Sequence, residues 1–325
     1  MIKDKDKINS ALLISLTNIG DAILTTPVLG VMLKGLPMAK IDVLVSPRTV
    51  GLFSNNKSLR DVIVYDKHAS IRKKIAFIKG LRCKHYDLII DLKNSALPFL
   101  IGAHFKTPLF FKAKENISMK EKHLQKIKAL GFEIEGADFL IKIDKESVAF
   151  SKKVISGAKG LKRIAAISVG ARSHIKRWPL DNFIQVCKEL QDKYKTFLVF
   201  LGDKADVGLV KKVTAEITED YLDLTNKTTL IELAAVLKQC NFLICNDSAI
   251  MHMASAVNKP VIALFGPTDF KKYGPEGENS VIIHKNIKCA PCQKAQCAFN
   301  HECLNQIMPQ DVISKVDILF KKLNI

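Results

Sequence analysis

Apolar residues in the first ninety positions fall into short continuous runs, separated by stretches where they recur every three or four residues. The runs "ALLISL" (11–16), "IDVLVS" (41–46), "DVIVYD" (61–66) and "YDLIIDL" (86–92) predict strands. Between the last two, residues 71–81 predict a helix with Ile71, Ile75, Ile78 and Leu81 on one face and basic residues on the other. A second alternation begins near residue 160. "RIAAISVG" (163–170), "TFLVFLG" (196–202), "NFLIC" (241–245), "PVIALFG" (260–266) and "SVIIHK" (280–285) predict strands, and helices fit at 179–193, 205–217, 228–239 and 248–257. Repeated strand–helix alternation predicts an α/β protein with mainly parallel sheets covered by helices on both sides. A polar, lysine-rich piece at 143–162 separates the two runs. Two similar domains, 1–155 and 156–325, are therefore expected to face each other across a cleft. The last helix, 309–322, could pack back on the first domain.

The chain length of 325 residues fits two domains of roughly 150 each. Apolar residues make up 48% and charged residues 25%, a globular composition. No apolar run approaches the ~18 residues that cross a bilayer. The N-terminal apolar run is short and becomes a strand, so no signal peptide is read and a cytoplasmic location is expected.

Charge narrows the partners. The net charge is +18, of which residues 1–150 carry +10 and the remainder +8. Residues 67–85 hold seven Lys/Arg and no acid, and residues 112–128 hold six Lys against two Glu. Such stretches favour anionic partners: nucleic acid, acidic lipid or phosphorylated glycan. For any single lysine, a solvated helix face is the better reading. Few aromatics interleave the basic stretches, which counts against nucleic acid.

Three polar clusters follow predicted strands. In "SLTNIGDAILTTP" (15–27), Gly20 permits an unusual turn or a close approach, and Asp21 stands where a helix begins. Asp21 reads equally as a helix N-cap or as a base for a sugar hydroxyl. The single glycine excludes the G-x-G-x-x-G dinucleotide fingerprint, and no G-x-x-x-x-G-K-[ST] loop occurs anywhere. In "SVGARSHIKRWPLDNF" (168–183), Lys176 and Arg177 are adjacent cations suited to a diphosphate, with Arg177 as a fork. Trp178 alternatively marks core packing, and Pro179 suits the start of a helix. In "FLICNDSAIMHMASAVNKPVIALFGPTD" (242–269), a strand delivers Asn246, Asp247 and Ser248 to a helix start, where free N–H groups and the helix dipole favour a phosphate. His252 lies one turn on, above Ser248. Asp247 could cap that helix or meet a sugar hydroxyl. Gly266 and Thr268 would form a second wall at the next strand tip.

In order and at these spacings, "NIGDAILTTP", "KRWP", "NDSAIMHMASAVNKPVIALFGPTD" and the later "CAPCQKAQCAFNHECL" resemble the bacterial heptosyltransferases of lipopolysaccharide core assembly, over nearly the whole chain. The resemblance implies two facing Rossmann-like domains of the glycosyltransferase B fold. It implies inverting transfer of heptose from ADP-heptose to a lipid-linked sugar, with no metal in catalysis. Asp21 then corresponds to the general base and Lys176 to a donor-phosphate contact. Asp247, Ser248 and His252 correspond to the segment clasping diphosphate and heptose, and Asp206 to an acidic residue near the ribose. An anionic glycolipid acceptor suits the basic first domain, with Asn18, Gly20, Arg72, Lys73 and Lys120 as candidate acceptor contacts, and a peripheral position at the cytoplasmic face of the inner membrane. The alternatives are a transferase or epimerase using another nucleotide sugar and, more remotely, a non-enzymatic protein that binds anionic polymers.

Of eight cysteines, Cys187, Cys240 and Cys245 lie in apolar surroundings and are expected to be buried, as is Cys83. Cys289, Cys292, Cys297 and Cys303 form a C-x2-C-x4-C-x5-C cluster. Four thiols fit a structural zinc, with His301 able to replace one. A reduced, metal-free loop is the other reading, since a cytoplasmic location disfavours disulfides.

Overall fold

The computed structural model describes residues 2, 4–111, 114–158, 163–218 and 220–324. Lys112 of the second basic stretch and residues 159–162 of the expected break lie outside them. The chain divides into two compact units, 1–142 and 143–325.

The first unit contains β1 (Ser10–Ser15), α1 (Ile19–Gly35), β2 (Lys40–Val45), β3 (Asp61–Val64), α2 (Ile71–Arg82), β4 (Leu88–Asp91), α3 (Leu97–Ile101), β5 (Phe105–Lys106) and α4 (Met119–Lys128). Its strands lie in the order β3-β2-β1-β4-β5, and every pairing is parallel. β1 and β4 are buried along their whole length, which is why both read as continuous apolar runs. The strand order reverses direction between β1 and β4, where Ile14 pairs with Asp91. Open parallel sheets hold ligands beyond the carboxyl ends of strands at such a switch point.

Asp42 on β2 is fully buried. It accepts hydrogen bonds from Arg60 Nε (2.7 Å) and Nη2 (2.6 Å), Tyr86 Oη (2.6 Å) and Lys84 Nζ (3.1 Å). Burial alone would raise its pKa, but these donors outweigh burial and hold it below the ordinary value.

The helical stripe predicted for α2 is rotated in the structure. Phe77, Ile78 and Leu81 pack on the unit's core, whereas Ile71 and Ile75 are 76% and 50% exposed. Phe77 takes the inward place by resting 5.4 Å from the Tyr65 ring.

The second unit contains α5 (Lys145–Val154), β6 (Arg163–Ser168), α6 (Leu180–Asp192), β7 (Thr196–Phe200), α7 (Val207–Thr214), β8 (Tyr221–Asp223), α8 (Leu230–Gln239), β9 (Phe242–Asn246), α9 (Ala249–Ala256), β10 (Val261–Leu264), α10 (Phe270–Tyr273), β11 (Val281–Ile283), α11 (Glu302–Asn305) and α12 (Pro309–Leu323). The order β11-β10-β9-β6-β7-β8, again all parallel, places the switch point between β6 and β9.

The expected linker begins inside this unit. Asp144 caps α5 by accepting the Ser147 N–H at 2.6 Å, and α5 packs on α8. Small polar Ser147 and Ser151 sit at buried positions of α5, which hides the helix from a hydrophobicity pattern. The last helix, α12, buries Val312, Val316 and Phe320 in the second unit's core, against α6 and strands β10 and β11. Among the described residues, no helix is long and apolar enough to cross a membrane.

Candidate active site

At the tip of β1 the chain turns directly into α1. Asn18 occupies the N-cap position, so Asp21, the third helical residue, is not the cap. Its half-buried carboxylate makes no hydrogen bond or ion pair among the described residues. Gly20 is helical, so the unusual turn expected of it is not formed.

The "TTP" that follows has a local role. Pro27 cannot donate to the Ile23 carbonyl, and the Thr26 hydroxyl does so instead at 2.8 Å. The Thr25 hydroxyl bonds the Ala22 carbonyl (2.7 Å) and Ser15 Oγ (2.9 Å), fastening the helix to the strand tip. Beside β1, the turn after β4 is held by Asp91, whose carboxylate accepts from the backbone of Lys93 (2.7 Å) and Ser95 (2.5 Å). Buried Lys126 of α4 donates to the Asp91 carbonyl at 2.9 Å and to Asn94 Oδ1. Burial lowers the Lys126 pKa. Sequence reading passed over Lys126, because a lysine in a lysine-rich helix looks like a solvated one. Lys120 is half-buried, with Nζ 5.1 Å from the Phe139 ring centre, while Arg72 and Lys73 are exposed on the first turn of α2.

The second unit gathers its candidates more tightly. From the loop after β6, Lys176 Nζ reaches Asp247 Oδ2 at 2.7 Å, just past β9. Asn246 stitches the same two elements: its Oδ1 accepts from the Trp178 N–H (3.0 Å) and its Nδ2 donates to the Val169 carbonyl (2.9 Å). Asp247 therefore does not cap α9. Ser248 holds the N-cap position, yet its side chain makes no capping bond. The Ser248 hydroxyl is buried without a hydrogen-bond partner among the described residues. A buried hydroxyl in that state costs about 1–3 kcal/mol unless something else satisfies it. It lies at the amide-bearing end of α9, with His252 buried on the next turn.

Arg177 is not a free fork. Its Nε donates to the Ala171 carbonyl of its own loop at 2.9 Å. Trp178 is core: 1% exposed, it donates Nε1–H to the Ile307 carbonyl (2.9 Å) and packs edge-on against Phe183.

Asp206 is buried at the tips of β6 and β7, with Oδ2 accepting from the Asp203 N–H at 3.0 Å. Burial raises its pKa. A Cβ on Gly170 would fall 1.9 Å from Asp206 Oδ1, and one on Gly202 2.8 Å from Oδ2. Both glycines are thus required by the space that this carboxylate fills. Gly266 answers to packing as well, since a Cβ there would meet Leu304 Cγ at 2.7 Å and Cys303 Sγ at 3.0 Å. Thr268 is buried at the same strand tip.

Cys289, Cys292, Cys297 and Cys303 line one cavity of about 190 Å³, together with Ile175 and Pro267. Cys297 Sγ accepts the N–H groups of Phe299 (3.4 Å) and His301 (3.2 Å). Among the described residues, no three His, Cys, Asp or Glu side chains are arranged to hold a metal ion. Cys83, expected to be buried, is exposed near the end of α2.

Residues 74–302 match a known family, whose description is "Glycosyltransferase family 9 (heptosyltransferase)". The chain belongs to glycosyltransferase family 9. It is 28% identical to Lipopolysaccharide heptosyltransferase 3 of Escherichia coli, across 92% of this chain and 96% of that one. A family 9 glycosyl transferase from Veillonella parvula superposes with a TM-score of 0.85 at 22% identity, covering 98% and 99% of the two chains. The E. coli ADP-heptose lps heptosyltransferase II superposes with a TM-score of 0.79 at 20% identity, covering 97% and 100%. The chain is thus a glycosyltransferase with two Rossmann-like units of the glycosyltransferase B class, as the resemblance implied.

Proposed function

We propose that this family 9 glycosyltransferase moves heptose from ADP-heptose to a lipopolysaccharide-core or related anionic glycolipid, with inversion at the anomeric carbon. The observation that carries the donor half is the unsatisfied, buried Ser248 hydroxyl at the N-terminus of α9, with Lys176 held nearby by Asp247. A diphosphate seated there would accept hydrogen bonds from the hydroxyl and the helix-end amides, and Lys176 would offset the charge that develops on the leaving ADP. His252 would add a donor one turn along. Asp206 would receive the nucleoside, with Gly266 and Thr268 as a second wall. This reading assigns that charge stabilisation to side chains and amides, with no metal in catalysis.

Asp21 is the proposed general base. Its carboxylate makes no hydrogen bond or ion pair among the described residues, and it stands at the switch-point end of β1, where it can accept the proton of an acceptor hydroxyl. Asn18, Gly20, Arg72, Lys73 and Lys120 are the proposed acceptor contacts, with work at the cytoplasmic membrane face. Support for the donor and acceptor comes from the names of the relatives, which are a lipopolysaccharide heptosyltransferase and an ADP-heptose enzyme.

The test is a donor screen. ADP-heptose, other ADP-sugars and UDP-sugars are offered with truncated lipopolysaccharide acceptors, release of the nucleotide is measured, and the anomeric configuration of the product is read by NMR. ADP release dependent on both ADP-heptose and acceptor is expected. Release with a UDP-sugar alone, or an epimerised donor without glycan product, would overturn the reading.

A further inference from the structure

Part of the apolar row on α2 stands exposed. Ile71, Ile75, Ile78 and Arg82 are spaced i, i+4, i+7 and i+11, so they lie along one line of the helix surface. Ile78 joins the core, but Ile71 and Ile75 stand in solvent. The row continues onto α3, where Arg82 Nη1 reaches the Leu100 carbonyl at 3.5 Å. Leu100 and Phe99 are about half exposed, and Lys106 Nζ sits 5.5 Å from the Phe99 ring centre.

This row is edged by cations. Of the seven Lys/Arg in residues 67–85, only Lys84 is held in ion pairs with carboxylates among the described residues. Arg72 and Lys79 lie beside the isoleucines on the outer surface of α2, with no acid in the helix to neutralise them. Isolated exposed apolar residues need no explanation. A row of four on two adjoining short helices, flanked by unneutralised cations, is the composition of a segment that lies in a membrane interface.

We propose that α2 and α3 form a docking surface for an anionic phospholipid bilayer, with Ile71, Ile75, Phe99 and Leu100 entering the headgroup–acyl boundary and Arg72, Lys79 and Arg82 meeting lipid phosphates. This deepens the proposed function, on which it rests for the membrane-bound acceptor. The charge pattern selects the anionic leaflet over a second copy of this chain, because two such cationic surfaces would repel each other.

The experiment is sedimentation of the full chain with vesicles of phosphatidylglycerol and phosphatidylethanolamine, against vesicles of phosphatidylcholine, with no glycolipid acceptor present. Binding to the anionic vesicles is expected, weakening at 0.5 M salt. Lys79→Glu should lower the partition coefficient by at least about fivefold. The combined variant Ile71→Ser, Ile75→Ser, Phe99→Ser, Leu100→Ser should abolish binding. Unchanged circular dichroism and unchanged transfer to a deacylated, water-soluble acceptor would show that the variant is intact. Absence of vesicle binding, or binding unaffected by the fourfold variant, overturns the surface while leaving transferase activity to stand or fall by the donor screen. A concentration-dependent dimer that the fourfold variant dissolves, without vesicle binding, would make these helices a chain–chain interface instead.

Discussion

Lys176 Nζ stands 2.7 Å from Asp247 Oδ2, so one ion pair joins the loop after β6 to the residue just past β9 across the second unit's switch point. Asp247 is 9% exposed and the lysine side chain 32%. Removing the lysine therefore does two things: it deletes a cation and leaves a buried anion beside the proposed phosphate site. Lys176→Ala should lower kcat/KM for the donor by about 10²–10³-fold. Lys176→Ala with Asp247→Asn should recover part of that loss, because the stranded charge is gone. A steady-state double-mutant cycle measures the coupling. Losses that simply add would show that the pair does not act as a unit.

Asp21→Asn is the sharper test of the chemistry. Asn18 holds the N-cap position, so the change leaves the cap in place. An amide cannot take a proton, so kcat should fall by about 10²–10⁴-fold while the donor dissociation constant, read by calorimetry with ADP, stays within about twofold. Turnover near the original rate would remove Asp21 from the base role.

The switch-point strands were legible because burial on both faces writes them as unbroken apolar runs: β1, β4, β6 and β9 all fall within a residue or two of expectation. The short edge strands β5 and β8 were not, having only two and three residues and partial exposure. The polar clusters were legible by position, since a strand tip leading into a helix is where amides are free. Their internal partnerships were not. Nothing in the order of residues says that Asp247 turns to Lys176 rather than to α9, or that Arg177 folds onto Ala171. Nor does it say that Gly170 is small because Asp206, 36 positions later, fills its space.

That last relationship gives a stability prediction. Gly170→Ala forces a Cβ into the Asp206 carboxylate and should destabilise by about 1–3 kcal/mol, read from denaturant midpoints. Asp206→Ala in the same chain should relieve most of it. Asp206 also carries a pH signature. Its folded pKa is raised by burial, so the folded state holds its proton more tightly than the unfolded one. The resulting cost is absent below the unfolded value near 3.9 and grows as pH rises through the folded value. Asp206→Asn should accordingly look more favourable, relative to the parent, at pH 7 than at pH 3.5.

Asp42 is the opposite case and lies in the sheet interior of the first unit. Its folded pKa is lowered because the donors from Arg60, Tyr86 and Lys84 outweigh burial. Its contribution is therefore present above the unfolded value and is lost as pH falls through the folded one. Asp42→Ala strands Arg60 and the Tyr86 hydroxyl, leaves Lys84 with Asp61 alone, and should cost about 3 kcal/mol at pH 7, shrinking towards pH 2. At a temperature where the variant stays folded, kcat should hold within about twofold, since no catalytic candidate contacts this network.

The cysteines separate by environment, and thiol labelling at pH 8 reads that separation directly. Burial pushes the Cys187 and Cys240 thiols up to about 12 and Cys245 well above the ordinary value, so all three should label only on unfolding. Cys83 is exposed and Cys289, Cys292 and Cys297 are half-buried, so these four should label first. Cys303 should follow, its thiol raised by burial and by the three neighbouring sulfurs. Equal rates for Cys289, Cys292 and Cys297 with and without a chelator would assign the cluster as a reduced, metal-free loop. Protection of Cys289, Cys292, Cys297 and Cys303 together, released by the chelator and matched by one zinc per chain, would instead mean that the loop closes on a metal. Since Ile175 and Pro267 border the same cavity, that closure would stiffen the loop carrying Lys176, and chelation should then also raise the donor KM.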